Sequence, residues 1–394
     1  MPSITPVTWS ASLPSSTQLE LFAVTAPGLE SCLLAELQPL AERSRLVAGG
    51  VEIHGDLTTL YRLNLWSRLA TRVLLRVGTV HALHFEELRR KTTALPWSGF
   101  ARSAVRLRIS ATAHHCRLIH TGAISERVSL ALGDAGVPVT TDESAPLLHV
   151  FVRGDQDHFT LSVDSSGELL HRRGYRLQDG GAPLRETLAP ALLHLAGYLP
   201  SQTLCDPMCG AATLAIEAAL LSLRRAPGIG RPFAFQDWPG FEPSRWQQLV
   251  DEARAGELSQ LAQPILASDR DPQVLEIARR NAERAGVLPH LQLHCLDVHQ
   301  LKLPSAAEGL ILCNPPYGKR LRQPRLVETY RGLGSLLRRS PGFRLAILTT
   351  TPQLAQAAGP IGNVHWLRNG GLRVGLFSVG KPQREATATL SSAS

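Results

Sequence analysis

Residues 203–225 read TLCDPMCGAATLAIEAALLSLRR. A short apolar run closes on an acid, a turn containing Gly210 follows, and an Ala/Leu-rich helical pattern completes the segment. This is the opening strand–turn–helix of an α/β sheet, and from about residue 182 the same grammar repeats. PILASD (264–269), LQLHCLD (291–297), LILCN (310–314) and RLAILTT (344–350) read as strands. PQVLEIARRNAERAG (272–286) and RLVETYRGLGSLLRR (325–339) read as helices between them. Alternation of this kind predicts a mostly parallel sheet with helices on both faces. VHWLRN and LRVGLFSVG, joined through Gly370-Gly371, predict a closing antiparallel hairpin. An insertion over about 226–263 separates the first helix from the second strand, and its first half is rich in Pro, Gly and aromatic residues.

The strand ends carry the chemistry, because open α/β sheets bind ligands at the carboxyl edge of their strands. The turn Asp206–Thr213 is neither G-x-G-x-x-G nor a phosphate-binding G-x-x-x-x-G-K-[ST] loop. An acid at that strand end suits a cationic or amine-bearing ligand. Asp269 stands where ribose hydroxyls are bound in doubly wound sheets; as a helix N-cap it would share that role with Asp271. Asp297 closes the third strand. The fourth ends in Asn314-Pro315-Pro316-Tyr317. There an amide oxygen and a backbone carbonyl between the prolines can accept both hydrogens of one exocyclic amine. The prolines fix φ and remove backbone donors, and the Tyr ring offers a stacking face to an extruded base. Alone, these four residues are equally a strand ending in a Pro-Pro turn; the three Asp-ended strands beside them favour the clamp.

Upstream, LELFAVTA (19–26), GGVEIHG (49–55) and RVLLRVGTV (72–80) read as strands. PGLESCLLAELQPL (27–40) reads as a helix opened by Pro27 and DLTTLYRLNLWSRLA (56–70) as one capped by Asp56. They predict an α+β unit over 19–90. A second α+β unit over 91–165 contains the strand AVRLRISA (104–111), a helix ending at Gly136, and the hairpin LLHVFVRGDQDHFTLSVD (147–164), turning at Gly154-Asp155. Residues 166–181 read as a linker, 182–380 as the catalytic domain, and 1–18 and 381–394 as disordered ends rich in Ser, Thr, Pro and Ala.

The 394 residues carry 41 Lys plus Arg against 33 Asp plus Glu, a net charge of +8 that favours a polyanionic partner. Six cysteines form no C-x-x-C pair and no zinc pattern, which predicts free thiols and no metal. The first charge is Glu20, so no basic leader opens the chain, and no apolar run reaches the ~18 residues of a membrane span. The expected setting is cytoplasmic.

LSVDSSGELLHRRGYR (161–176), APLRETLA (182–189), DPMCGAATLAIEAA (206–219), RRAPGI (224–229), ASDRD (267–271) and LCNPPYGKRL (312–321) together resemble the THUMP-domain RNA guanine-N2 methyltransferases. GLE (28–30), GGVEIHGD (49–56) and LWSRLATRVLL (65–75) extend the likeness to the N-terminus, so that it spans about 19–380. It is narrowest toward the N-terminal half of the two-activity enzyme of large-subunit ribosomal RNA. The resemblance implies a Rossmann-like class I methyltransferase sheet preceded by ferredoxin-like and THUMP units. It implies S-adenosylmethionine as cofactor, held by Asp206, Pro207, Met208, Gly210, Thr213, Asp269, Asp297 and Asn314. Asn314, Pro315, Pro316 and Tyr317 would hold a flipped guanine of 23S rRNA or tRNA. Gly122-Ala123 and Glu126-Arg127 resemble the THUMP helix motif, and Arg127, Lys319 and Arg320 would face RNA; Arg172, Arg173, Tyr175 and Arg176, in the link between modules, would face RNA or shape the cofactor mouth, unless they form a solvated turn. The four-residue motif also serves enzymes of adenine N6, glutamine amides and cytosine N4; the N-terminal module selects RNA. A DNA adenine methyltransferase and a non-catalytic RNA-binding factor are the alternatives. The family's Gly-Ser-Gly turn is here Gly210-Ala211-Ala212, and the added methyl of Ala212 predicts a small packing adjustment between helix and strand.

Overall fold

In β1 (Leu19–Val24) every second side chain is buried, with Leu19, Leu21 and Ala23 inside and Phe22 half-exposed. This is the period-2 signature of a sheet with one face on a core. The computed structural model describes residues 18–176, 184, 186–305, 308–317, 323–369 and 372–380. The chain divides into two units, residues 1–173 with 225–257, and 174–224 with 258–394.

In the first unit, β1 is followed by α1 (Glu30–Leu37), β2 (Arg43–Val47), β3 (Gly50–Gly55), α2 (Leu57–Trp66), β4 (Arg72–His81), α3 (Phe85–Thr93), β5 (Arg106–His114), α4 (Thr121–Asp134), β6 (Leu147–Asp155) and β7 (His158–Asp164). The strands form one sheet in the order β2-β3-β1-β4-β7-β6-β5, antiparallel throughout except for β5 beside β6. The division expected at residue 90 falls inside this sheet: β4 pairs with β1 on one side and β7 on the other, so the two α+β segments share backbone hydrogen bonds.

Local chemistry explains the helix starts and the turns. Asp56 caps α2 as predicted, its side chain accepting from the Thr59 amide at 2.8 Å. Helix α1 begins at Glu30 rather than at Pro27; Gly28 adopts φ +92 ahead of it. The β6–β7 hairpin turns at Gln156-Asp157, both left-handed, and not at Gly154-Asp155. Gly154 is paired within β6, where a Cβ would stand 2.7 Å from the Phe159 ring, so only glycine fits there.

The second unit contains α5 (Leu188–Leu195), β8 (Thr203–Asp206) and α6 (Thr213–Ser222). After an insertion with helix α7 (Pro243–Ala255) it continues as β9 (Ile265–Asp269), α8 (Pro272–Arg284), β10 (Leu291–Cys295), β11 (Gly309–Cys313), α9 (Gln323–Arg338), β12 (Phe343–Thr349), α10 (Pro352–Ala358), β13 (Ile361–Asn369) and β14 (Leu372–Val379). Strand order is β10-β9-β8-β11-β12-β14-β13, parallel from β10 to β12 and antiparallel at β14. β8 and β11 are buried along their whole length, as central strands covered on both faces are. A core of Ile311, Cys313, Tyr330, Leu333, Leu345 and Ile347 lies between this sheet and α9. The predicted Gly370-Gly371 turn, and the expected disorder at 1–17 and 381–394, lie outside the described residues.

The continuous catalytic domain expected over 182–380 needs one correction. Residues 225–257 belong with the N-terminal unit. The aromatic residues of this insertion surround Tyr61 of α2: the Phe235 ring lies 4.7 Å from it, Phe241 5.9 Å and Trp246 6.0 Å. The Glu242 amide donates to the Tyr61 hydroxyl at 3.1 Å, and Gly228 touches the α2 backbone so closely that a Cβ would meet the Asn64 carbonyl oxygen at 2.7 Å. Aromatic rings bury so much apolar area that a segment carrying five of them, Phe233, Phe235, Trp238, Phe241 and Trp246, requires a matching surface. Phe235, 1% exposed, is the centre of this cluster. Phe235→Ala is expected to destabilise the first unit by about 3–5 kcal/mol, read as a lower urea midpoint, and to open 226–257 to proteolysis.

Candidate functional site

The register of the second sheet brings the ends of its parallel strands level. Asp206 pairs with Ala267 and Cys295 with Asp269, while Cys313 ends the adjacent β11. Between β8 and α6 the chain makes a tight turn in which Gly210 adopts φ +54. The turn is held from the next strand. The Gly210 amide donates to Asp269 Oδ2 at 3.1 Å, the Cys209 amide to the Ser268 carbonyl at 2.9 Å, and Ser268 Oγ lies 3.3 Å from the Pro207 carbonyl. Asp269 Oδ1 accepts from the Asp271 amide at 3.0 Å, whereas Asp271 is the true N-cap of α8, accepting from Gln273 at 2.9 Å.

A second brace comes from α8. Asn281, fully buried, donates from Nδ2 to the Ala211 carbonyl at 3.2 Å; Arg284 donates to Asn281 Oδ1 at 2.7 Å and to the Tyr175 carbonyl at 2.9 Å. Sequence reasoning did not single out these two residues. The available signal was an Asn on the buried stripe of an otherwise apolar helix face.

The cost at Ala212 is in the backbone rather than in packing. Ala212 has φ +62, the left-handed region, and is wholly buried. That conformation disfavours a non-glycine residue by roughly 1–2 kcal/mol. The buried methyl returns about 0.8 kcal/mol, and Ala restricts the unfolded chain by about 0.4–1 kcal/mol relative to Gly.

The turn and the strand ends open on a cavity of about 460 Å³, within the size range of small-molecule sites. Met208, Val274, Leu296 and Val298 supply apolar walls, and Asp269, Asp271, Asp297 and Glu328 supply carboxylates. Of the residues predicted for the cofactor, Pro207, Met208, Asp269 and Asp297 line this cavity. Asp297 lies two residues past β10 and accepts from the His299 amide at 3.0 Å. Gly210 belongs to the turn, and Thr213 opens α6, buried. Val274, Leu296, Glu328 and Thr329 were not predicted; they converge on the cavity from α8, the segment after β10, and α9.

Asp206 sits beneath the turn, 1% exposed, and its Oδ1 lies 3.4 Å from the Met208 amide. Burial pushes its carboxyl up to about 8, and the negative charge of Asp269 adds to the effect. The neighbouring thiols of Cys205, Cys209 and Cys313 are pushed up by the same burial and stay neutral. A buried carboxyl near neutrality is poised to ionise toward a cation brought to the turn.

Past β11, Asn314 is half-buried and its Oδ1 atom is fully buried, accepting no hydrogen bond among the described residues. A buried acceptor without a donor is unfavourable by about 1–3 kcal/mol. The surrounding motif is braced. Tyr330 Oη lies 3.0 Å from Thr349 Oγ1 and 3.5 Å from the Pro316 carbonyl, and Asn369 at the end of β13 donates to the Tyr317 hydroxyl at 3.0 Å. Burial raises the Tyr330 phenol, so it remains a neutral donor. Pro315 is buried; Pro316 and Tyr317 are half-buried.

The residues predicted to face RNA separate into four groups. Arg127, on α4, pairs with Glu86 at 3.5 Å, and exposed Arg172 pairs with Glu168 at 2.8 Å. Arg173 donates to the Arg68 carbonyl at 2.8 Å. Tyr175 and Arg176 are corrections: Tyr175 is 4% exposed with its hydroxyl donating to Glu217 at 2.9 Å, and Arg176 forms a largely buried pair with Glu186 at 3.3 Å. Both belong to the interior of the second unit. Lys319 and Arg320 lie outside the described residues.

A parallel sheet closed by an antiparallel hairpin, with an acid-ended glycine turn and an Asn-Pro-Pro-Tyr strand end, defines a class I methyltransferase. Comparison narrows this. Residues 173–361 match the family described as "RMKL-like, methyltransferase domain", and residues 20–74 match the "RlmL ferredoxin-like domain". The chain is 37% identical over 371 residues to "Putative RNA methyltransferase slr0064" of Synechocystis, covering 91% of this chain and 96% of that one. It is 36% identical over 359 residues to "Ribosomal RNA large subunit methyltransferase K/L" of Syntrophotalea carbinolica, covering 86% of this chain and 50% of that protein's length. Among solved structures, a Listeria monocytogenes protein described as a predicted N6-adenine-specific DNA methylase superposes with TM-score 0.85 at 30% identity, covering 93% and 97% of the two chains. SMU.472, complexed with SAH, superposes with TM-score 0.85 at 28% identity, covering 94% and 99%. The chain belongs to the RMKL-like RNA methyltransferase family.

Two expectations follow from the turn. Because the three contributions at Ala212 offset, Ala212→Gly should change unfolding free energy by less than about 1 kcal/mol; a larger shift in the urea midpoint would refute the balance. Asp206 is raised in the folded state, so its stabilising contribution is complete below about 4 and is lost as pH rises through about 8. Stability should therefore fall as pH rises across that window, and Asp206→Asn should flatten the slope in melts at a series of pH values.

Proposed function

We propose that this protein transfers a methyl group to the exocyclic N2 of a guanine in structured RNA, with 23S rRNA as substrate. S-adenosylmethionine supplies the electrophilic methyl on a sulfonium centre. The apolar walls and carboxylate rim of the 460 Å³ cavity suit its ring, hydroxyls and positive charge. Asp206, ionising toward that charge, would couple binding to loss of a proton, with Asp269 and Asp297 placed for hydroxyls.

The observation that carries the reading is the buried, unpartnered Oδ1 of Asn314. An acceptor held in that state is complete only when a donor enters. An aryl amine is a poor nucleophile because its lone pair is delocalised into the ring. Asn314 Oδ1 and the Pro315 carbonyl, each accepting one N–H, would draw the nitrogen toward sp³ and free the pair for in-line attack. With the cofactor bound, its methyl–sulfur bond would break as the nitrogen–carbon bond forms, Asn314 Oδ1 and the Pro315 carbonyl would hold the amine through the transfer, and the amine proton would leave afterwards to solvent. Tyr317, oriented by Asn369, would stack on the base. Tyr330 anchors the Pro316 carbonyl.

RNA in place of DNA is favoured by the relatives' names, and guanine N2 by the sequence likeness. Residues 91–165 would act as the THUMP RNA-binding module, with Arg127, Arg172, Lys319 and Arg320 at phosphates. The same chemistry would accept a tRNA guanine, and the description of the Listeria protein names an adenine of DNA. Among the described residues no helix is long and apolar enough to cross a membrane, and a cytoplasmic location accords with an RNA substrate.

Methylation of 23S rRNA, tRNA and duplex DNA with labelled S-adenosylmethionine, followed by nucleoside analysis, should give N2-methylguanosine from ribosomal RNA. Label confined to DNA would overturn the reading. Asn314→Ala should reduce kcat by about 10²–10³-fold, a far larger effect than any change in cofactor affinity measured by calorimetry.

A further inference from the structure

The closing hairpin carries a feature that the methyl-transfer chemistry does not use. Its register sets Arg368 on β13 directly opposite Arg373 on β14, and Trp366 opposite Gly375. Alternation places Trp366, Arg368 and Arg373 on one face of the hairpin, while Leu367 and Val374 are buried on the other. Trp366 is 40% exposed. The Arg373 guanidinium lies over its ring at 4.4 Å, and Phe377 meets the ring edge-on at 5.7 Å. Both arginines are exposed, and neither forms an ion pair among the described residues.

Like charges directly across a ladder are unfavourable. Edge protection accounts for a charge on β13, an edge strand, but not for Arg373, since β14 lies between β12 and β13. Two guanidinium groups with no carboxylate partner among the described residues, one of them lying over the exposed indole of Trp366, match the needs of an unstacked nucleic-acid strand: cations for its phosphates and a planar stack for a base. The position fits as well. β13 runs parallel to β11 and ends at the same edge of the sheet, where Asn369 touches Tyr317 at 3.0 Å. Trp366 is three residues back, roughly 10 Å along the strand, about the reach of one or two nucleotides.

We propose that this face of the β13–β14 hairpin is a binding site for the single-stranded RNA segment that flanks the target nucleotide. A neighbouring base stacks on the Trp366–Arg373 pair, and Arg368 and Arg373 contact adjacent phosphates. The inference rests on the RNA methyltransferase reading and extends it to substrate positioning.

The test uses the full-length protein, fluorescence anisotropy with labelled oligouridine and with a labelled GC-paired RNA duplex, and steady-state kinetics on ribosomal RNA. Trp366→Ala should weaken oligouridine binding about tenfold or more and raise KM with little change in kcat; Trp366→Phe should restore most of it. Arg368→Gln combined with Arg373→Gln should lower the slope of log affinity against log salt by about 1.4, two single-strand phosphate contacts. The duplex should respond less than oligouridine. Unchanged melting temperature and cofactor affinity would show that the variants are folded. Wild-type affinity and salt slope in all variants would overturn the site, as would a change in oligomeric state with unaltered RNA binding, which would make the face a contact between copies. Weakened oligouridine binding in a protein that methylates no RNA would instead keep the site and overturn the proposed reaction.

Discussion

The hydrogen bond from the Gly210 amide to Asp269 is the constraint on which the catalytic unit depends. It joins the turn after β8 to the end of β9 and holds open the left-handed backbone that follows. Asp269 reaches the turn with one oxygen and the first residues of α8 with the other. A single carboxylate thereby sets the positions of two strand ends and one helix start. Asn281 adds a buried contact to the same turn from α8. The apolar walls of the cavity then come from residues that need no special chemistry, only the right side of their elements.

The Asn-Pro-Pro-Tyr strand end is organised differently. Asn314, Pro315, Pro316 and Tyr317 leave β11 at its end, where no ladder partner fixes them, and their support comes from distant elements. Tyr330 on α9 meets the Pro316 carbonyl, and Asn369 on β13 meets the Tyr317 hydroxyl. Among the described residues the Asn314 Oδ1 atom accepts no hydrogen bond, although the groups around it are braced. Proteins rarely leave such an acceptor buried and unpaired. Its isolation beside an aromatic ring is the clearest physical mark of a binding site in the second unit.

The first unit shows how composition differs from placement. The aromatic content of 227–246 is plain in the sequence, and so is its need for a partner. The partner is Tyr61, far away in the chain, and residues 225–257 therefore leave the unit in which their neighbours lie. The same limit applies to Tyr175 and Arg176. Their position beside two other arginines reads as a basic surface, yet Glu217 and Glu186 draw both side chains into the interior.

Local pattern alone determined the alternating strands and helices, the Asp56 cap, the acid-ended strands and the Asn-Pro-Pro-Tyr turn, since each depends on residues adjacent in the chain or one helical turn apart. The resemblance of these segments to known methyltransferases carried the class. Tertiary structure decided what rests on long-range contact. It showed that one sheet joins the two N-terminal segments, that Ala212 carries backbone strain, and that Asn281 and Arg284 brace the turn. It also showed that the hairpin turns at Gln156-Asp157, and that the Phe159 ring leaves no room for a side chain at Gly154. Strand pairing, burial and a left-handed φ are set by atoms distant in sequence, and no periodicity encodes them.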